Sequence, residues 1–161
     1  NRYDVSGDIG PASFGSDGLN KFFVRAVSLP PSQINEIRIP YRGRILKWPG
    51  DRVYQPWTIR ILDESGKKDG LYSAFAKWSN LINDHISNQA ITANDDTLDK
   101  FTNDWLVSQV NENNQVVKRI KLIGCWPSLV GPIDLDANSV DTLSEFNVVV
   151  NYQYYELDKL D

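Results

Sequence analysis

The 161-residue chain contains no methionine, a single cysteine (Cys125) and a single histidine (His85). One thiol excludes an internal disulfide framework and fits a reducing cytosol. One imidazole leaves any metal site to carboxylates alone, and no calcium-loop spacing occurs. No apolar run approaches the ~20 residues that cross a bilayer, and no signal-like apolar region opens the chain, so no membrane partner is expected. The sequence begins at Asn1, which implies that its natural start has been lost. Its length suits one domain, 1–161, with enough material for a real core. No repeat of fixed period is present.

Positive charge is also short, 17 Lys and Arg against 21 Asp and Glu. The deficit is uneven. Residues 1–62 carry nine basic and five acidic side chains, whereas residues 63–161 carry eight and sixteen. An acidic chain is a poor candidate for wrapping nucleic acid, because phosphate contacts need a positive surface. The asymmetry suits either two differently solvated faces or a basic part that meets the acidic part of another copy.

Catalytic signatures are missing as well. Cys125 sits inside an apolar strand with no base beside it, as a buried thiol would. His85 falls at a helix end, where a cationic imidazole favours the dipole. Asp63-Glu64 and Asp95-Asp96 are adjacent in sequence, and adjacent residues of an extended chain point apart, so both pairs read as turn and linker charges rather than a glycosidase dyad. Gly10, Gly15 and Gly18 lie in a loop without a phosphate-binding spacing. No enzyme and no cofactor follow from these residues.

What is present is β-sheet patterning. Tyr3–Val5, KFFVRAVSL (21–29), INEIRI (34–39) and GRILKW (43–48) read as extended pieces, with Pro30-Pro31, Pro40 and Pro49-Gly50 as their stops. WTIRIL (57–62) alternates, with Trp57, Ile59 and Ile61 on one face. Residues 71–85 predict the one convincing helix, its stripe being Leu71, Phe75, Trp78 and Ile82. A polar linker follows over 87–104. WLVSQV (105–110) and QVVKRIKLIGCW (115–126) flank a turn at NENN, with Pro127 ending the second strand. EFNVVVNYQYYE (145–156) predicts one strand with Phe146, Val148, Val150, Tyr152 and Tyr154 on one face. Strands, a helix, then strands again imply a mainly β, α+β fold. The expected architecture is an antiparallel two-sheet sandwich or barrel with one flanking helix.

Aromatics gather at expected edges and turns, namely Trp48, Tyr54, Trp57, Trp126 and Tyr155. YRGRILKWPGDRVYQPWTIRILDE (41–64) alone holds five of the seventeen basic residues and two of the five tryptophans. Strand edges must be blunted, covered or paired, and aromatics with arginines are favoured at interface cores. The inventory fits a chain that assembles with copies of itself.

The same segment, with Gly50-Asp51-Arg52 and the aromatic Tyr54 two residues later, resembles the tail tube proteins of contractile-tailed bacteriophages. So, in the same order, do NRYDV, FFVRAVSLPPSQI, FAKWSNLIN, GCWPSLVGPIDLD and EFNVVVNYQYYE. Ala137 departs from the family, which often has an aromatic after the Leu-Asp here filled by Leu135-Asp136. The resemblance implies a structural virion protein and no enzyme. It implies homo-hexameric rings stacked into a hollow tube, with the inner sheets of the subunits joined edge to edge into one ring barrel. It implies as partners a surrounding sheath protein, baseplate and tail terminator proteins. DNA would pass through the lumen without specific binding. The protein would reside in the virion tail after assembly in the bacterial cytoplasm.

Residues 31–54 correspond to the family's extended inter-subunit loop. Tyr41, Arg42, Gly43, Arg44, Ile45, Leu46, Lys47, Trp48, Arg52 and Tyr54 are therefore the expected subunit and ring interface, in a loop too polar to fold inward. The acidic balance of residues 63–161 suggests an acidic lumen wall that repels phosphates. A baseplate tube initiator, or a secretion or injection tube, would share the fold. A monomeric ligand-binding β-sandwich would instead require a pocket.

Overall fold

In the computed structural model the described residues are 2–10, 24–28, 30–63, 70–83, 101–113, 115–133 and 144–158. In chain order they form β1 (Arg2–Ser6), β2 (Val24–Val27), β3 (Ser32–Tyr41), β4 (Arg44–Tyr54), β5 (Trp57–Asp63), α1 (Leu71–Ile82), β6 (Asn103–Val110), β7 (Val116–Val130), β8 (Ser144–Asn151) and β9 (Tyr154–Asp158). Every pairing among them is antiparallel.

One long strand, β7, builds two layers. Its first half pairs with β6 on one side and β9 on the other, and β6 carries β1. From Trp126 onward it pairs with β8 instead, which carries β5 and then β2. The switch occurs at Gly124, whose φ of +67° is a left-handed conformation that glycine adopts freely. A Cβ there would also meet Gln153 at 2.9 Å. Gln153 lies in the matching break between β8 and β9, its N–H donating to Ile123 O at 2.9 Å. Strands that bend from one sheet into the other form the corners of such sandwiches.

The inner faces follow strand alternation. Trp57, Ile59 and Ile61 of β5 face inward with Phe146, Val148 and Val150 of β8, against Trp105 and Val107 of β6 and Leu122 of β7. Trp57 and Trp105 meet edge to face across the layers, 6.4 Å between centroids. The helix presents Leu71, Phe75 and Trp78, and Phe75 touches both Trp105 and Phe146, at 6.2 and 6.1 Å. It thus closes the space between the sheets. A buried indole N–H needs an acceptor, and each of the three has one. Trp57 donates to Ser28 O, Trp78 to Phe101 O and Trp105 to Asp8 O.

Several expectations change. Pro40, Pro49 and Pro127 do not end strands, since β3, β4 and β7 run through them. In the β3–β4 ladder Tyr41 opposes Arg44 at the turn, and Pro40 and Pro49 oppose Ile45 and Glu36. Counted from a two-residue turn, these are positions whose N–H points away from the partner, so proline loses no ladder bond. The expected strand 145–156 is two strands kinked at Tyr152-Gln153, and Tyr154 is exposed whereas Tyr152 is buried. The helix ends at Ile82. Asp63, read as a turn charge, caps α1: Leu71 N–H donates to its Oδ1 at 3.0 Å, because the cap position, Gly70, has no side chain to offer. Trp57 is core, not edge. His85, Glu64, Asp95-Asp96, Gly15, Gly18, Ala137 and the linker up to residue 100 lie outside the described residues.

Candidate assembly surface

The segment 31–54, expected as an extended loop, is a β-hairpin over residues 32–54 that stands off the sandwich. Its strands of ten and eleven residues, at about 3.3 Å per residue, make an arm roughly 30 Å long. The turn is Arg42-Gly43, at φ +46° and +79°. Two central residues at positive φ define a type I′ turn, whose twist matches that of the flanking strands. Arg42 occupies a conformation that disfavours its Cβ, and its guanidinium lies 5.4 Å from the Tyr41 ring centroid.

Residues opposite one another in a ladder share a face. Ile37 opposes Trp48, Ile39 opposes Leu46 and Tyr41 opposes Arg44. The register therefore gathers Ile37, Ile39, Tyr41, Leu46 and Trp48 on one side of the ribbon. All five are between 42% and 60% exposed. A bulge at Gly50-Asp51, opposite Asn35, keeps the pattern aligned past Pro49. Gly50 fits closely there, since a Cβ would lie 3.0 Å from Asn35 O and 3.1 Å from the Ile37 side chain.

The opposite face is mixed. Arg38 and Lys47 oppose each other, and Glu36 pairs with both, its carboxylate 2.5 Å from Arg38 Nη2 and 3.1 Å from Lys47 Nζ. These groups are exposed, so their pairing adds little stability. It keeps two cations from repelling across the ribbon. Ile45 and Ile34 are exposed on this face.

The ten expected residues thus separate. Tyr41, Arg44, Leu46 and Trp48 share the apolar face. Ile45, Lys47 and Arg52 lie on the other, and Arg42 with Gly43 makes the tip. Tyr54 belongs to the root, half-buried against Tyr152 and Tyr155. The segment stays out of the body as expected, but it is not uniformly polar, because one side gathers Ile37, Ile39, Tyr41, Leu46 and Trp48, with Arg44 beside them near the tip. Ile37 and Ile39 were missed, although Ile37, Ile39 and Tyr41 alternate once Pro40 is not taken as a stop.

Among the described residues nothing comparable to a reaction centre accompanies this arm. Burial pushes the Cys125 thiol up to about 12, which leaves it un-ionised and unreactive at neutral pH. Among the described residues no three His, Cys, Asp or Glu are grouped to hold a metal ion, and no helix is long and apolar enough to cross a membrane. Among the described residues the space between the sheets is filled by aromatic and aliphatic side chains. A shallow cleft of about 440 Å³ beside Asp8 and Asp104 has Asp104 paired to Lys121 at 3.2 Å.

A two-layer β-sandwich with an uncovered apolar ribbon is the form of a protein with an interaction surface, because monomers rarely leave so many large apolar side chains contiguous in water. Residues 4–158 match the phage tail tube protein family. The chain is 31% identical over 123 residues to the tail tube protein of Serratia phage KSP90, covering 76% of this chain and 66% of that relative. It is 23% identical over 136 residues to the tail tube protein of Enterobacteria phage T4, covering 84% and 80%. Its fold is similar to a chain in the cryo-EM structure of the extracellular contractile injection system PVC, sheath/tube terminator in the extended state. That likeness has a TM-score of 0.68 at 19% identity, over 98% of this chain and 94% of the other. The chain belongs to the phage tail tube protein family, and its role is structural.

Proposed function

We propose that the chain stacks as homo-hexameric rings into the inner tube of a contractile tail, through which the phage genome is delivered. The sheath surrounds this tube, and baseplate and terminator proteins bound its two ends. Assembly takes place in the host cytoplasm and the finished tube is part of the virion. DNA passes without specific binding, along a lumen kept acidic by carboxylates from residues 63–161. The chain has no catalytic activity and needs no cofactor.

The observation that carries this reading is the exposed apolar face of the β3–β4 hairpin. In assembly it is covered by a neighbouring copy, with Tyr41, Arg42, Gly43, Arg44, Ile45, Leu46, Lys47, Trp48 and Arg52 at subunit and ring contacts. Inner sheets joined edge to edge would remove the remaining free strand edges, which otherwise invite uncontrolled pairing. Likeness to injection-system tubes suits this role equally, and the 31% identity to a phage relative favours a phage tail. Negative-stain electron microscopy of the purified protein, with and without a baseplate seed, is the test. Sixfold rings or tubes are expected. Isolated particles at every concentration, seed included, would reject the proposal.

A further inference from the structure

The hairpin is joined to the body through an unusual root. Pro30 and Pro31 precede β3 and Pro56 follows β4, which fixes φ at both crossings. Pro31 O accepts Gln55 N–H at 3.3 Å and Tyr152 OH at 3.4 Å. Tyr155 OH, from the edge strand β9, donates to Ser32 Oγ at 3.1 Å, and Arg52 reaches the same oxygen at 3.4 Å. Tyr54, the last residue of β4, sits edge to face against Tyr152 at 5.9 Å and Tyr155 at 5.4 Å. Beyond this root the hairpin is exposed along its length.

A two-stranded ribbon fastened only at its base swings unless the base is stiff. Here the base combines three prolines with three interlocking rings, and two of the ring hydroxyls reach Pro31, just before β3, and Ser32, its first residue. We infer that Tyr54, Tyr152 and Tyr155 are positioning residues that hold the hairpin at a set angle in the unassembled subunit. The apolar face is then presented to the next copy as a rigid arm rather than ordered on contact. Such pre-organisation removes the entropy cost of fixing a long arm during association. The consequence for assembly rests on the tube reading above, whereas the angle itself is a property of the single subunit.

The experiment measures that angle directly. Spin labels at Ile45→Cys near the tip and Val117→Cys on β7 report the distance from arm to body in dilute, unassembled protein. Both positions are exposed, and buried Cys125 stays unlabelled. A single narrow distance distribution is expected. Tyr54→Ala broadens it, Tyr155→Phe broadens it less, and the thermal transition of the body stays in place. In unlabelled protein Tyr54→Ala raises the concentration needed for tube formation about tenfold, the effect of losing one or two ring contacts. If Tyr54→Ala fails to fold, the pair Ser32→Ala with Tyr155→Phe serves in its place with the same expectation. A broad distribution in the parent, or one equally narrow in the variants, overturns the inference. A narrow parent distribution that broadens in the variants, in protein that never forms tubes, would retain the inference and reject the tube reading instead.

Discussion

Replacing Trp48 with alanine separates the apolar face of the hairpin from its charges as the source of assembly energy. Trp48 is 60% exposed in the subunit. An aromatic side chain buries about 150–250 Å², so roughly 120 Å² of it remains to be covered by a neighbour. At about 25 cal/mol per Å² that is ~3 kcal/mol. Part of this is offset by ordering at the interface, leaving about 1.5–3 kcal/mol, or a 10- to 100-fold rise in the concentration at which tubes form. An exposed ion pair is worth about 0–1 kcal/mol, so reversing Arg42 or Arg44 singly should shift assembly about fivefold at most. The apolar term wins. Sedimentation of tubes against total protein concentration reads the threshold, and a thermal melt reads the subunit. Trp48→Ala should raise the first and leave the second unmoved. A threshold within twofold of the parent, or an Arg44→Glu effect larger than that of Trp48→Ala, would refute the reasoning.

Three further expectations concern other parts of the molecule. Gly43→Val places a β-branched side chain at φ +79°. It should destabilise the hairpin by about 1–2 kcal/mol, read as faster amide exchange in β3 and β4, whereas Arg42→Asn, better suited to positive φ, should slow that exchange. Asp63→Ala removes the acceptor for Leu71 N–H and should lower unfolding free energy by about 1 kcal/mol, with no loss expected for Asp63→Asn beyond a few tenths. Burial pushes the Cys125 thiol from 9.0 up to about 12, and burial first, then the neighbouring Tyr155, pushes the Tyr152 hydroxyl from 10.0 up to about 12. Both groups keep their protons in the fold after the unfolded chain has released them. The stability they contribute is complete below pH 9 and is lost as pH rises toward 12. Cys125→Ala should flatten the decline of urea-melt stability with alkaline pH by about one proton, and an unchanged slope contradicts the assignment.

Local patterns in the sequence carried the sandwich well. Trp57, Ile59 and Ile61 alternate without interruption, and the helix stripe of Leu71, Phe75 and Trp78 is visible in its spacing. Prolines misled in a consistent way. Pro40, Pro49 and Pro127 read as stops because a proline lacks the ladder donor. Whether that donor is needed depends on which side of the strand is paired, and a single strand does not reveal that. The apolar face of the arm was half legible for the same reason. Tyr41, Leu46 and Trp48 stood out, but only the register that sets Ile37 against Trp48 and Ile39 against Leu46 shows that they form one surface. The tyrosine root was beyond reach, since Tyr54 meets side chains about a hundred residues later in the chain. So was the cap, because Asp63 was read with Glu64 rather than with a helix that starts eight residues on.

The central claim is that the exposed side of the hairpin is finished by another copy. A cryo-EM reconstruction of the assembled protein tests it most directly. The account predicts Ile37, Ile39, Leu46 and Trp48 packed against the surface of a neighbouring subunit in every ring. Tubes in which those side chains still face solvent or the open lumen would contradict it.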